Sequence, residues 1–194
     1  MKSPALVALL VLFLSASATA VTLVPAPPGI NADAYLLIDF ATGEVLVEHN
    51  IDTRLPPASL TKLMTSYILA EEVDAGRLSL DDEVTVSRNA WSQNPKFRGS
   101  SLMWIEPGKS VTVGELEQGI AISSGNDATV AIAEHIAGSE EAFVALMNRY
   151  AEELALTATH FENTHGLPNS DHLTTARDLG SLAIATIRDH PDRY

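Results

Sequence analysis

Ser59-Leu60-Thr61-Lys62 is the only Ser-x-x-Lys in the chain. Three residues is close to one helical turn, so the two side chains fall on one face and within reach of each other. A serine hydroxyl is a weak nucleophile until a base takes its proton. A lysine amine becomes that base when burial lowers its pKa. A second candidate, Ser124-Gly125-Asn126, sets a hydroxyl and an amide on either side of a small residue. In isolation it reads as a helix-helix connection with Ser124 and Asn126 as caps. Together with Ser59 and Lys62 it supplies the polar partners that an acyl-transfer site needs.

The flanking elements position these groups. Leu60, Leu63, Met64, Tyr67 and Ile68 recur at helical spacing, which predicts a helix from Ser59 to Ala75, stopped by Gly76, with one buried stripe. The runs from Ala34 to Asp39 and from Glu44 to Glu48 flank a turn at Ala41-Thr42-Gly43 and predict a β-hairpin. Glu83–Val86 is a short strand candidate, and 87–108 is mostly irregular. Thr112 with Glu115 forms a capping box for a helix to about Ile122. Asp127–Ala137 is apolar on every side and reads as a buried helix ended by Gly138. Amphipathic helices from Ser139 and Thr175 follow, the latter capped with Asp178. Two early strands and many helices make a sheet that looks unfinished.

Bulk properties narrow the compartment and the partners. Lys2, the apolar run Ala5–Leu14 and Ala18-Thr19-Ala20 form a secretory leader, cleaved after Ala20. Residues 21–31 form a proline-rich lead-in, and 32–194 one catalytic domain. There is no cysteine, so neither a disulfide nor thiol chemistry is available. A formal net charge of -13 repels nucleic acid, and no basic cluster offsets it.

Ser59-x-x-Lys62 followed by Ser124-x-Asn126 is the motif pair of penicillin-recognising serine enzymes. With Pro57-Ala58, Leu63-Met64-Thr65, Gly99-Ser100-Ser101-Leu102-Met103, Asp127-Ala128 and His165-Gly166-Leu167, the text from Asn31 to Tyr194 resembles the D-alanyl-D-alanine carboxypeptidases, low-molecular-mass penicillin-binding proteins. The resemblance implies an α+β, β-lactamase/transpeptidase-like fold with a helical subdomain and an antiparallel sheet. It implies that Ser59 attacks the penultimate D-Ala carbonyl of a peptidoglycan stem peptide, forming an acyl-enzyme. Lys62 takes the Ser59 proton, and Ser124 hydrogen-bonds to Lys62 and relays a proton to the leaving amine. Asn126 holds the substrate backbone. It further implies periplasmic action, no cofactor or metal, β-lactams as acylating mimics, and, in many relatives, inner-membrane attachment through a C-terminal region.

The family's later Lys-Thr-Gly or Lys-Ser-Gly is absent, and the nearest text, Gly108-Lys109-Ser110, has the wrong order. The expectation is therefore an N-terminal fragment whose sheet truncation leaves incomplete. A DD-endopeptidase would use the same residues. A class A β-lactamase would need a Glu-x-x-Leu-Asn loop, which is missing, and a wall-binding or penicillin-sensing module would need none of the four polar groups. His160, His165 and His172 match no common zinc spacing. Gly108-Lys109-Ser110 lacks the first glycine of a phosphate loop. Arg177-Asp178 reads as a helix-start ion pair and cap.

Overall fold

Helix α1 (Lys62–Asp74) is the centre of the molecule, and almost all of its circumference is covered. The computed structural model describes residues 28–194; the leader expected over 1–20 lies outside them. Ala32–Tyr194 form one compact unit. The predicted helix start moves. Ser59 sits in a 3-10 turn (Ala58–Thr61), and α-helical hydrogen bonding begins only at Lys62. Leu60, expected in the buried stripe, is 54% exposed on that turn.

Strands β1 (Tyr35–Ile38) and β2 (Val45–His49) form the expected antiparallel hairpin, with a register shift between Leu37 and Ile38. Asp39 shapes its turn by accepting from the Thr42 N–H and hydroxyl. Strand β3 (Glu83–Thr85) pairs with β4 (Ser110–Thr112), a three-residue strand that the sequence pattern does not predict. Val84 and Val111 face each other there. The described strands thus make two separate two-stranded sheets rather than one.

Helix α2 (Val113–Ser123) starts at the predicted box: Thr112 Oγ1 accepts from the Glu115 N–H, and Glu115 accepts in return from the Thr112 N–H. Helices α3 (Asn126–Ala137), α4 (Glu140–Glu153) and α5 (Ala176–Asp189) follow. Gly138 ends α3 at φ 84°, and the Thr175 side chain caps α5. Arg177 does not pair with Asp178. It reaches Asp52 with two hydrogen bonds, at 2.6 and 2.9 Å, while buried Asp178 accepts from the Ala158 N–H and the Thr159 hydroxyl.

Two apolar clusters meet across α1 and α3. One gathers Leu69, Phe97, Leu116 and Val130, the other Met64, Ile68, Phe143, Met147 and Phe161. Each such side chain contributes about 1.5–3 kcal/mol when fully buried. α1 and α3 pack together, and each begins at a residue singled out by chemistry, Lys62 and Asn126.

Candidate active site

The turn before α1 is built to expose Ser59. Ala58 adopts φ 49°, a left-handed conformation that side chains bearing a Cβ enter at a cost of roughly 1–3 kcal/mol. The kink leaves Ser59 exposed at the mouth of a cleft of about 380 Å³, shared with Ser100, Ser101, Asn126, Gly166 and Leu167. Among the described residues no turn or cap hydrogen bond occupies the Ser59 N–H. It belongs to the donors that a helix start leaves free.

Lys62 is buried, 6% exposed, directly behind Ser59. Its Nζ lies 2.7 Å from Asn126 Oδ1, 3.0 Å from the His165 carbonyl oxygen and 3.3 Å from Ser59 Oγ. Loss of water pushes its pKa down to about 8, against a smaller upward pull from Asp127. These are the three acceptors an ammonium can use. In the neutral amine the two N–H groups stay on Asn126 and His165, and the lone pair faces the Ser59 hydroxyl.

Asn126 and Lys62 meet because the α2–α3 connection is pinned. The sharp turn is made by Ser124 itself, at φ 51°, and not by Gly125, which lies at φ -64°. Glycine suits position 125 for a different reason: a Cβ there would stand 3.0 Å from the Met103 nitrogen and 3.1 Å from Asp127 Oδ1, a tight approach that would push the neighbouring loop back. The Asn126 N–H donates to the Ser101 carbonyl at 2.9 Å, tying α3 to the cleft wall. Ser59, Lys62 and Asn126 are therefore brought together. Ser124 is adjacent in the chain, but among the described residues its hydroxyl makes no hydrogen bond to Lys62; the third position is taken by a backbone carbonyl.

That carbonyl was not legible from residue types. Segment 164–165 runs along α1, where Thr65 Oγ1 donates to the Thr164 carbonyl (2.8 Å) and Lys62 to the next one. From the other side Glu140 accepts from Thr164 Oγ1 (3.2 Å) and Lys96 Nζ (2.9 Å), and lies 3.5 Å from His165 Nε2. His165 Nδ1 accepts from the Leu167 N–H, so the ring hydrogen sits on Nε2, toward Glu140. Burial pushes the His165 pKa down to about 4, which keeps the ring neutral. Gly166 follows at φ 89°, and a Cβ on it would collide with the Ala58 carbonyl. The only sequence signal was the His-Gly pair itself.

Asp127 is the second residue that spacing did not reveal. Fully buried, it accepts from the N–H groups of Met103 (2.8 Å), Trp104 (2.8 Å), Ile105 (3.1 Å) and Ala128 (3.0 Å). An acid in a first helical turn is common; its reach back to 103–105 is tertiary. The other two histidines of the 157–174 loop are spoken for: His160 pairs with Glu162, and His172 bridges Thr61 Oγ1 and the Glu162 N–H.

A Ser-x-x-Lys and a Ser-x-Asn at the starts of two packed central helices, with Ser59 and Asn126 lining one cleft, define a protein of the penicillin-binding transpeptidase/β-lactamase-like class. Solved structures of that class superimpose closely. Penicillin binding protein 5 from Haemophilus influenzae matches with TM-score 0.84 and 40% identity, over 88% of this chain and 49% of that one. Penicillin binding protein 6B from Escherichia coli gives 0.83 and 45%, over 89% and 55%. The family model for D-alanyl-D-alanine carboxypeptidase, peptidase S11, matches residues 21–194, and the chain belongs to that family. D-alanyl-D-alanine carboxypeptidase DacC of Escherichia coli is 48% identical over 168 residues, 86% of this chain. The chain spans 42% of the length of that relative.

Proposed function

We propose that this chain carries the nucleophile and base of a serine D-Ala-D-Ala carboxypeptidase that trims peptidoglycan stem peptides in the periplasm. The observation that carries the reading is the amine of Lys62: buried, fixed by two neutral oxygen acceptors, lowered to about 8 and 3.3 Å from Ser59 Oγ. Ser59 Oγ adds to the carbonyl of the penultimate D-Ala as its proton passes to Lys62 Nζ. The oxyanion takes a hydrogen bond from the Ser59 N–H, a type of contact worth about 3 kcal/mol. Asn126 has its Oδ1 on Lys62, which leaves its NH₂ as the donor for a substrate carbonyl.

The C–N bond then breaks, the terminal D-Ala leaves as an amine that takes up the proton, and water later releases the acyl group from Ser59. Ser124 is assigned the relay of that proton; this role rests on the family resemblance and its place beside Asn126. β-Lactams would acylate Ser59 by the same attack. Periplasmic action is supported by the leader read in residues 1–20 and by the family. Membrane attachment is proposed by analogy alone, and among the described residues no helix is long and apolar enough to cross a membrane.

The test uses the complete protein. It should release D-Ala from a stem peptide ending in D-Ala-D-Ala, and a penicillin adduct should map by mass spectrometry to the peptide holding Ser59. Ser59→Ala should abolish both. Release or labelling that survives this substitution would remove Ser59 from the role.

A further inference from the structure

Segment Met103–Ile105 is held more firmly than a connection requires. Asp127, fully buried, accepts from the N–H of all three residues and fixes Trp104 at φ 70°. Bulky side chains rarely enter that left-handed region. The backbone of Trp104 is thus clamped inward, while its indole stands outside, 69% exposed. A solvent-facing aromatic on an anchored backbone is the form of a contact platform, because no backbone freedom is lost when a ligand lies on it.

The platform borders a cavity of about 490 Å³, within the usual size of small-ligand sites. Its wall includes Gln93, Arg98 and Leu102, and it shares Gly99 and Ser100 with the cleft over Ser59. Gln93 and Arg98 are exposed, and among the described residues neither side chain is hydrogen-bonded or ion-paired. An apolar partner would leave this amide and guanidinium unsatisfied. A pyranose ring satisfies both kinds of surface, with an apolar C–H face for the indole and a rim of hydroxyl and acetamido groups for the polar side chains.

We propose that this groove is a subsite for the saccharide that bears the stem peptide, with Trp104 stacked on a sugar ring, so that the protein reads the glycan as well as the D-Ala-D-Ala end. The proposal rests on the carboxypeptidase reading for its substrate. Two measurements on the complete protein test it. The first compares kcat/KM for one stem peptide with and without its disaccharide. In Trp104→Ala the ratio of the two should fall about tenfold, and Trp104→Phe should retain most of it. An unchanged ratio, with both substrates slowed equally or neither slowed, overturns the subsite.

The second titrates the free disaccharide against tryptophan fluorescence in the Ser59→Ala background. Saturable quenching should be present with Trp104 and absent in Trp104→Ala. Quenching that persists without Trp104, or none in its presence, also overturns the subsite. If D-Ala is released from neither substrate, the carboxypeptidase reading fails, and the titration still decides the groove.

Discussion

The amine of Lys62 makes a quantitative demand on pH. In water its pKa would be 10.5, and burial lowers it to about 8. At pH 7 about a tenth of a group with pKa 8 is neutral, against roughly one part in three thousand at 10.5, a gain of about 300-fold in competent base. The second-order rate of acylation by a chromogenic β-lactam, followed by stopped flow in the complete protein, should therefore rise about tenfold per pH unit up to about 8 and then level off. Lys62→Arg keeps the charge and cannot lose a proton, so it should lower that rate by about 10²–10⁴-fold and erase the rising limb. The sign for folding is the same. The unfolded chain holds this proton up to 10.5 and the native state only to about 8, so the stability contribution of Lys62 grows as pH rises through that window. Acylation that is flat from pH 6 to 9, or a limb that survives in Lys62→Arg, would refute the assignment of the base.

Two further outcomes follow from the packing around this pair. Gly166→Ala would drive a Cβ into the Ala58 carbonyl at φ 89° and should cost about 3 kcal/mol or more in urea unfolding, with penicillin labelling of Ser59 lost in the folded fraction; wild-type unfolding and labelling would exclude the contact. His172 has its pKa pushed down to about 4 by burial, and its Nδ1 must stay unprotonated to accept from the Glu162 N–H. The native state therefore refuses a proton that the unfolded chain takes near 6.5, and about 2 kcal/mol of stability should be lost by pH 5. Thermal unfolding between pH 7 and 5 checks this, and His172→Gln should remove about 2 kcal/mol of the dependence, leaving the share that buried His165 contributes.

The candidate site residues were legible in the sequence because side-chain types at short separations mark them. Ser59 and Lys62 lie within one turn of each other, and Ser124-Gly125-Asn126 opens a helix whose apolar text already announced burial. The hairpin, the capping box at Thr112 and Glu115, and the stops at Gly76 and Gly138 are local devices, set by hydrogen bonds across two to five residues. Strand β4 was missed because three residues carry too little pattern to outweigh a neighbouring breaker, Pro107-Gly108, and only pairing with β3 defines it.

Tertiary structure decided what sits behind Ser59. The third partner of Lys62 is a main-chain carbonyl of His165, and a backbone atom has no signature in residue identity. Asp127 and Glu140 read as ordinary first-turn acids, until packing brings residues 103–105 to the one and 164–165 to the other. Sequence alone determined that a serine, a lysine and an asparagine were available. The contact of α1 with α3, and the loop pressed against them, determined the distances and the dryness that lower the pKa of an ordinary lysine, because desolvation depends on what the rest of the chain excludes from the site.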